Sequence, residues 1–278
     1  MSFQLDVLVE CRSNIYLLPM GLIHPIRTPP LASFIDFLWY SEEYRQSHAA
    51  ERILPTGAMD LVVDLAGHRS AEGSVSGAHS TSVILDTSSS LSMIGVRFKP
   101  GSGFAFFDVP AGELHNLTVS LDTLWGHDAE WLREELYRAA NPQRRFLVLE
   151  KFLLRHFRPL SERTSAVQIA LRMFHNSHHY VPVARVVEQT GLNAARFIAA
   201  FRDQVGLTPK VYARITRFRR VISKIPAATR VDWTSIALNC GYFDQAHFNH
   251  DFRAFTGMTP SAYVRDRTTN PNHVRVSN

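Results

Sequence analysis

Apolar runs of a few residues, each closed by glycine, serine or aspartate, fill the first part of the chain. The segment "RILPTGAMDLVVDLAG" sets Pro55, Thr56 and Gly57 before an apolar run and Gly67 after it, as a buried strand between turns requires. "TSVILD" and "LSMIGVRFKPGSG" repeat the pattern, with "EGSVSGAHST" and "TSSS" between them. Short strands at this spacing predict a β-sandwich or barrel of the jelly-roll kind. From Leu121 the period becomes helical. "DTLWGHDAEWLREELYRAA" places Trp131, Leu132 and Leu136 on one face with Asp122 or Asp128 as the N-cap. "NPQRRFLVLEKFLLRHFR" stripes Phe146, Leu149, Leu153 and Phe157 behind an Asn141 cap and Pro142 in the first turn. The polar, proline-containing "RPLSERTS" at 158–165 marks a domain boundary.

Beyond that boundary one helical unit occurs twice. Gly191 and Gly241 each follow an apolar helical run and suit the left-handed residue that ends a helix. Asn193 and Asp244 come next as caps, and then Phe197 with Phe201, or Phe248 with Phe252, an i, i+4 pair that anchors one helix face in a core. Gly206 and Gly257 close these helices, and Thr208-Pro209 and Thr259-Pro260 open the next ones. Helix, glycine turn, capped second helix is the helix-turn-helix pattern. Between the copies, "PKVYARITRFRRVISKI" carries Val211, Ile215, Phe218, Ile222 and Ile225 on one seam and Lys210, Arg214, Arg217 and Lys224 beside it. A linker helix of this length, roughly 25 Å, could hold two motifs about one DNA turn, ~34 Å, apart.

Length and charge sharpen this division. A chain of 278 residues favours two domains, each with its own core. Residues 1–160 hold 14 Lys/Arg against 18 Asp/Glu, a balance of −4, and residues 161–278 hold 16 against 7, a balance of +9. The basic excess is C-terminal, as in a polyanion-binding half joined to a half with another task. The opening residues carry Asp6, Glu10 and Arg12 among apolar ones, which predicts no secretory leader. No apolar run approaches the ~18 residues of a membrane span. Two distant cysteines, Cys11 and Cys240, suit a reducing compartment, so a soluble cytoplasmic protein is expected.

Residues 166–265 resemble the DNA-binding domain of the AraC/XylS family of bacterial transcription regulators. The resemblance rests on "TGLNAARFIAAFRDQVGLTPKVYARITRF" and "IALNCGYFDQAHFNHDFRAFTGMTPSAYVR", with Gly241, Phe243, Phe248, Phe252, Arg253, Gly257, Pro260 and Tyr263 in register with the family's second motif. Upstream, "ERILPTGAMDLVVDL" and "GVRFKPGSGFAFF" resemble an N-terminal β domain of one subgroup, a match that brings no ligand with it. The fold class expected is α+β: an N-terminal sandwich-like domain over 1–160 (strands to about 120, helices about 121–158), an all-α double helix-turn-helix domain over 166–268, and a tail over 269–278.

On each second helix the outward positions lie opposite the phenylalanines. In the second copy these are Gln245, Ala246, Asn249 and His250, flanked by Arg253. Gln and Asn can grip adenine with two hydrogen bonds, and His can donate to guanine or phosphate. In the first copy they are Ala195, Ile198 and Ala199, with Arg196 and Arg202 nearby, a departure from the polar readers the family often carries. Small apolar groups can touch a thymine methyl without discriminating by hydrogen bonds. The second copy is therefore expected to read bases, and the first to dock through phosphate contacts from Arg196, Arg202 and the linker's Arg217, the last equally well suited to an internal ion pair.

Other constellations are sparse. "HNSHHY" offers His175, His178 and His179 at helical spacing for a metal, without a Cys or acidic partner. His24, His48, His68, His79, His115 and His127 are scattered, with no His-x-His pair of the kind a metal-holding jelly roll uses. "GSG" at 101–103 lacks the Lys-Ser/Thr of a phosphate loop, and no GxSxG elbow occurs. Trp39, Arg97 and Phe98 suit either a pocket wall or a strand core. The expected function is sequence-specific binding of promoter DNA, with no enzyme activity, no cofactor and no metal. A small-molecule effector at the N-terminal domain and an RNA polymerase contact are expected partners, and a homodimer is compatible. The alternatives are a cupin-like enzyme domain with a DNA-binding tail and an architectural protein of low sequence preference.

Overall fold

A computed structural model describes residues 21–66, 73–158, 164–177, 181–226 and 231–276. Cys11, His68, His178 and His179 lie outside the described residues. The N-terminal part contains β1 (Leu22–His24), β2 (Ile35–Tyr44), β3 (Ala50–Ile53), β4 (Asp60–Asp64), β5 (Gly73–Ser76), β6 (Val83–Asp86), β7 (Leu91–Phe98) and β8 (Thr118–Ser120). These are followed by α1 (Leu121–Trp125), α2 (His127–Arg138) and α3 (Pro142–His156). Six strands form one antiparallel sheet in the order β1-β2-β7-β4-β5-β8.

Strand alternation sorts the side chains of that sheet onto two faces. Leu38, Leu61, Val63, Val75, Ile94, Val96 and Phe98 point one way and pack on Leu132, Phe146, Leu149 and Phe152 of α2 and α3. Their neighbours Trp39, Asp60, Val62, Ser74, Ser76, Met93 and Arg97 point the other way, into a cavity roofed by Ile53 of β3 with Val83 and Leu85 of β6. Gly95 is required on this second face, because a Cβ there would come 2.4 Å from the Trp39 ring. The N-cap of α1 is Ser120, which accepts from the Asp122 amide. Asp122, expected as a cap, instead accepts from Arg133 at 3.0 Å, and Asp128, the other candidate, lies in the first turn of α2 behind an uncapped Gly126.

The C-terminal part contains α4 (Thr164–Asn176), α5 (Val183–Thr190), α6 (Ala194–Val205), α7 (Pro209–Lys224), α8 (Trp233–Asn239), α9 (Gln245–Thr256) and α10 (Pro260–Asp266). All four repeat caps act as expected: Asn193, Thr208, Asp244 and Thr259 accept from the amides of Arg196, Val211, His247 and Ala262. Gly191, Gly206, Gly241 and Gly257 have φ of 69°, 85°, 84° and 71°, the left-handed region that glycine enters without strain. The phenylalanine pairs build one aromatic core around α7. Phe201 stands 5.6 Å from Tyr212, Phe218 5.5 Å from Phe252, and Phe252 5.6 Å from Tyr263.

One element lies within the stretch expected as a tail over 269–278. Residues His273–Arg275 form β9, which pairs antiparallel with β3 and completes a second sheet in the order β6-β3-β9. Three residues with an unremarkable apolar pattern carry no strand signal of their own; the exposed edge of β3 supplies it. The two parts also share a core, since Leu54 and Ala78 of the N-terminal part pack among the helical residues.

Phe252 is fully buried against Phe218, Phe248, Trp233 and Tyr263. Phe252→Ala should therefore cost about 3–5 kcal/mol in urea unfolding. Leu147→Ala, at a position 57% exposed on α3, should stay within about 0.5 kcal/mol. Equal losses at both positions would contradict this core assignment.

Candidate functional site

The second helix of each repeat presents its outward face to solvent. On α9 the buried residues are Phe248, Asp251, Phe252, Phe255 and Thr256, whereas Gln245, Ala246, His250 and Arg253 are exposed and Asn249 is half-buried. On α6 the buried residues are Phe197, Phe201, Gln204 and Val205, and Ala195, Arg196, Ile198, Ala199 and Arg202 are exposed. The proposed readers of each copy thus share one accessible face per helix. Ile198 is an exposed large apolar side chain on that face, and so is Phe243, 87% exposed in the turn that leads into α9.

Asp251 fixes the tilt of α9. It is 1% exposed and accepts from Arg214 Nε and Nη2 at 3.0 and 2.7 Å and from Arg217 Nη2 at 2.8 Å. Both arginines come from α7, so the linker helix grips α9 through one carboxylate. Arg217 also lies over the Tyr242 ring at 4.3 Å and touches His247 Nε2 at 3.1 Å. Of the two roles open to Arg217 in the sequence, this is the internal one; it is buried and is not placed to meet a phosphate. Burial pushes the Asp251 carboxyl up, but the hydrogen bonds and charges of Arg214 and Arg217 outweigh it and hold the group below its usual range. The sequence signal for this lock was available: an aspartate between paired phenylalanines on an inward face needs buried cations.

The first copy is seated differently. Gln204 donates to the Gly101 carbonyl at 3.0 Å, and the stem of Arg202 lies over Gly112. The C-terminal end of α6 therefore rests on the N-terminal part, near residues 101–114, while its outward residues stay clear.

The cavity between the two sheets measures about 230 Å3. Phe37, Trp39, Ile53, Val62, Leu85 and Met93 give it apolar walls. Its polar groups are mostly satisfied internally: Arg97 donates to both Asp60 oxygens at 2.7 and 2.8 Å, and Ser76 pairs with His79 at 2.9 Å. Burial, and then the neighbouring His115, push the His79 ring below its usual value. Of the three residues suited to a pocket wall, Trp39 and Arg97 line the cavity, whereas Phe98 is buried on the opposite face against Phe106 and Phe107. The described residues contain no cluster of three or more metal-binding side chains and no helix long and apolar enough to cross a membrane.

A carboxylate whose folded pKa lies below its ordinary 3.8 contributes stability above that value and loses it as the pH falls through the folded value. Asp251→Asn should cost about 3 kcal/mol near neutral pH, because the buried Arg217 and the half-buried Arg214 lose their counter-charge. The gap between wild type and variant should narrow in melts taken below 3.8. A gap that is independent of pH would mean that the lock is not ionic.

Residues 186–266 match the family model described as a helix-turn-helix domain, and residues 25–120 match a domain of unknown function, DUF6597. The probable transcriptional regulator LumQ of Photobacterium leiognathi is 29% identical over 103 residues, 37% of this chain and 41% of LumQ. The chain thus spans about two fifths of that curated relative. Among solved structures, ToxT from Vibrio cholerae gives a TM-score of 0.41 at 11% identity, covering 88% of this chain and 97% of ToxT. A ToxT structure with bound unsaturated fatty acid gives 0.38 at 12% identity, covering 81% and 90%. With its two glycine-turned motifs, their family match and the regulator relative taken together, the chain carries an AraC-type helix-turn-helix domain behind a DUF6597 domain.

Proposed function

We propose that the chain binds promoter DNA by sequence, with α6 and α9 entering successive major grooves on one face of the duplex, under the control of a small molecule held in the cavity between its two sheets. The observation that carries the DNA reading is the outward face of α9, where Gln245 and His250 are exposed and Asn249 is half-buried, while Asp251 and the phenylalanines hold the helix from behind. A recognition helix needs both properties: free base-reading groups and a backbone that does not yield when they engage. The linker helix α7, with 16 residues, is about 24 Å long and suits motifs placed one helical turn of DNA apart.

In this reading Gln245 and Asn249 contact adenine edges, His250 a guanine or phosphate, and Ala246 the methyl of a thymine. Ala195, Ile198 and Ala199 fill the groove in the first copy by shape, and Arg196, Arg202 and Arg253 bind phosphates. Arg217 drops out of the phosphate set because Asp251 holds it. The protein acts without catalysis, in the cytoplasm; contact with RNA polymerase and self-association belong to the same proposal. Effector control rests on the cavity, whose apolar walls and interspersed hydroxyls and imidazoles are those of a small-ligand site, though a little below the usual ~300–1,000 Å3.

Fragment selection with the purified protein identifies the operator, and anisotropy titrations then separate the roles. Asn249→Ala and Gln245→Ala should each weaken operator binding by about 1–3 kcal/mol and leave random DNA unchanged. Arg253→Ala should weaken both and lower the salt slope by about one. Equal losses on operator and random DNA for Asn249→Ala would remove the base-reading role, and selection of random fragments would favour an architectural protein instead.

A further inference from the structure

The segment after α10 is tied to both parts of the molecule at once. On the helical side, Tyr263 Oη donates to the Pro271 carbonyl at 2.7 Å and Arg219 Nη1 donates to Asn272 Oδ1 at 2.7 Å. Asn270 and Asn272 are buried, and Val274 is fully buried within the helical core. On the sheet side, the Leu54 amide donates to the Asn272 carbonyl at 2.9 Å and the Val276 amide to the Ala50 carbonyl at 3.1 Å. Strand alternation turns Val274 toward the helices and His273 the other way, into the cavity wall.

His273 meets a buried carboxylate there. Glu51, 0% exposed, accepts from His273 Nδ1 at 2.7 Å, Tyr44 Oη at 2.8 Å and His48 Nε2 at 2.9 Å. Burial works against the charged carboxylate, but the bond and charge of His273, with the other two donors, more than offset it. Loss of β9 from the sheet would leave Glu51 without its shortest hydrogen bond and would open one side of the cavity.

His273 is the cavity-lining residue contributed by the C-terminal part, so the site has its complete wall only when β9 is docked. A ligand that touches the His273 ring binds the docked arrangement more tightly than the undocked one, and by linkage it must favour docking. The lining suits an uncharged molecule: its one carboxylate and one guanidinium neutralise each other, and the remaining polar groups are hydroxyls and imidazoles. We propose that β9 is a ligand-dependent clasp, in which a small, neutral, largely aromatic or aliphatic molecule with one hydrogen-bonding group packs on His273 and thereby fastens the second helix-turn-helix to the N-terminal sheet. This rests on the reading of the cavity as the effector site and adds the route by which that site reaches DNA.

The probe is 2-naphthol, a neutral fluorescent molecule of suitable size, added to the full-length chain. At ten times its Kd, hydrogen exchange at the Leu54 and Val276 amides should slow about tenfold. His273→Ala should bind the probe roughly fivefold more weakly and lose most of that protection, as expected for loss of one wall contact. Should that variant melt as a partly unfolded chain, His273→Gln, which keeps a donor within reach of Glu51, takes its place. Its Leu54 and Val276 amides should stay protected without probe, while the gain on adding probe should shrink. Failure of 2-naphthol to saturate the wild type would overturn both the cavity reading and the clasp. Equal probe affinity in wild type and His273→Ala, with unchanged exchange at Leu54 and Val276, would overturn the clasp alone.

Discussion

A single buried carboxylate, Asp251, sets the geometry of α9 against α7. A charge at 1% exposure is tolerated only when opposite charges reach it with good hydrogen bonds, and Arg214 and Arg217 do so from one face of α7. Because both donors sit on the linker helix, the angle between α7 and α9 cannot relax without stranding a charge. The aromatic contacts of Phe218, Phe252 and Tyr263 supply adhesion, which is non-directional. The ion-pair cluster supplies direction. Tyr242 joins it by lying under the Arg217 guanidinium, which links the turn before α9 to the same lock.

The two repeats share a frame and are held by different means. When Phe197 is aligned with Phe248, Ala200 falls where Asp251 stands, so the first copy has no carboxylate for α7 to grip. In its place Gln204 reaches the Gly101 carbonyl, and the glycine turn at Gly206 is seated so closely on Ala111 that a Cβ would come 3.0 Å from its carbonyl oxygen. The second copy is thus oriented from within the helical domain, and the first by the domain in front of it. Two similar helix pairs are thus held by different inward residues.

Most of the helical half was legible because its signals are local. Thr208-Pro209 and Thr259-Pro260 state a cap and a first turn in two residues, and the glycines state where each helix must stop. The strands of the first half were legible as runs between turns, and the outward faces of α6 and α9 were legible opposite their phenylalanines. What escaped was non-local. Nothing in "HVR" announces a strand; its pairing exists because β3 offers an open edge more than two hundred positions earlier in the chain. The role of Arg217 likewise stayed open, since an arginine on a basic stripe and an arginine buried against Asp251 have the same local sequence. Asp122 made a plausible cap by type, and lost that place to Ser120 because the chain turns two residues sooner.

These placements imply that the domains are coupled at two separated points, and that the points differ in kind. The seat of α6 on residues 101–114 is a packed surface with a buried hydrogen bond from Gln204 to the Gly101 carbonyl, which small changes in the sheet can shift only as a body. The contact through β9 is a ladder of a few backbone bonds plus one buried hydrogen-bonding hub, which can be present or absent as a unit. On the proposed function, a ligand in the cavity would touch the second kind directly, through His273, and the first only through the sheet. With α9 already rigid on α7, opening the β9 contact would leave the geometry of the second copy unchanged. It would change where that copy is held relative to the first, and for two motifs on one duplex that spacing decides whether both can bind at once.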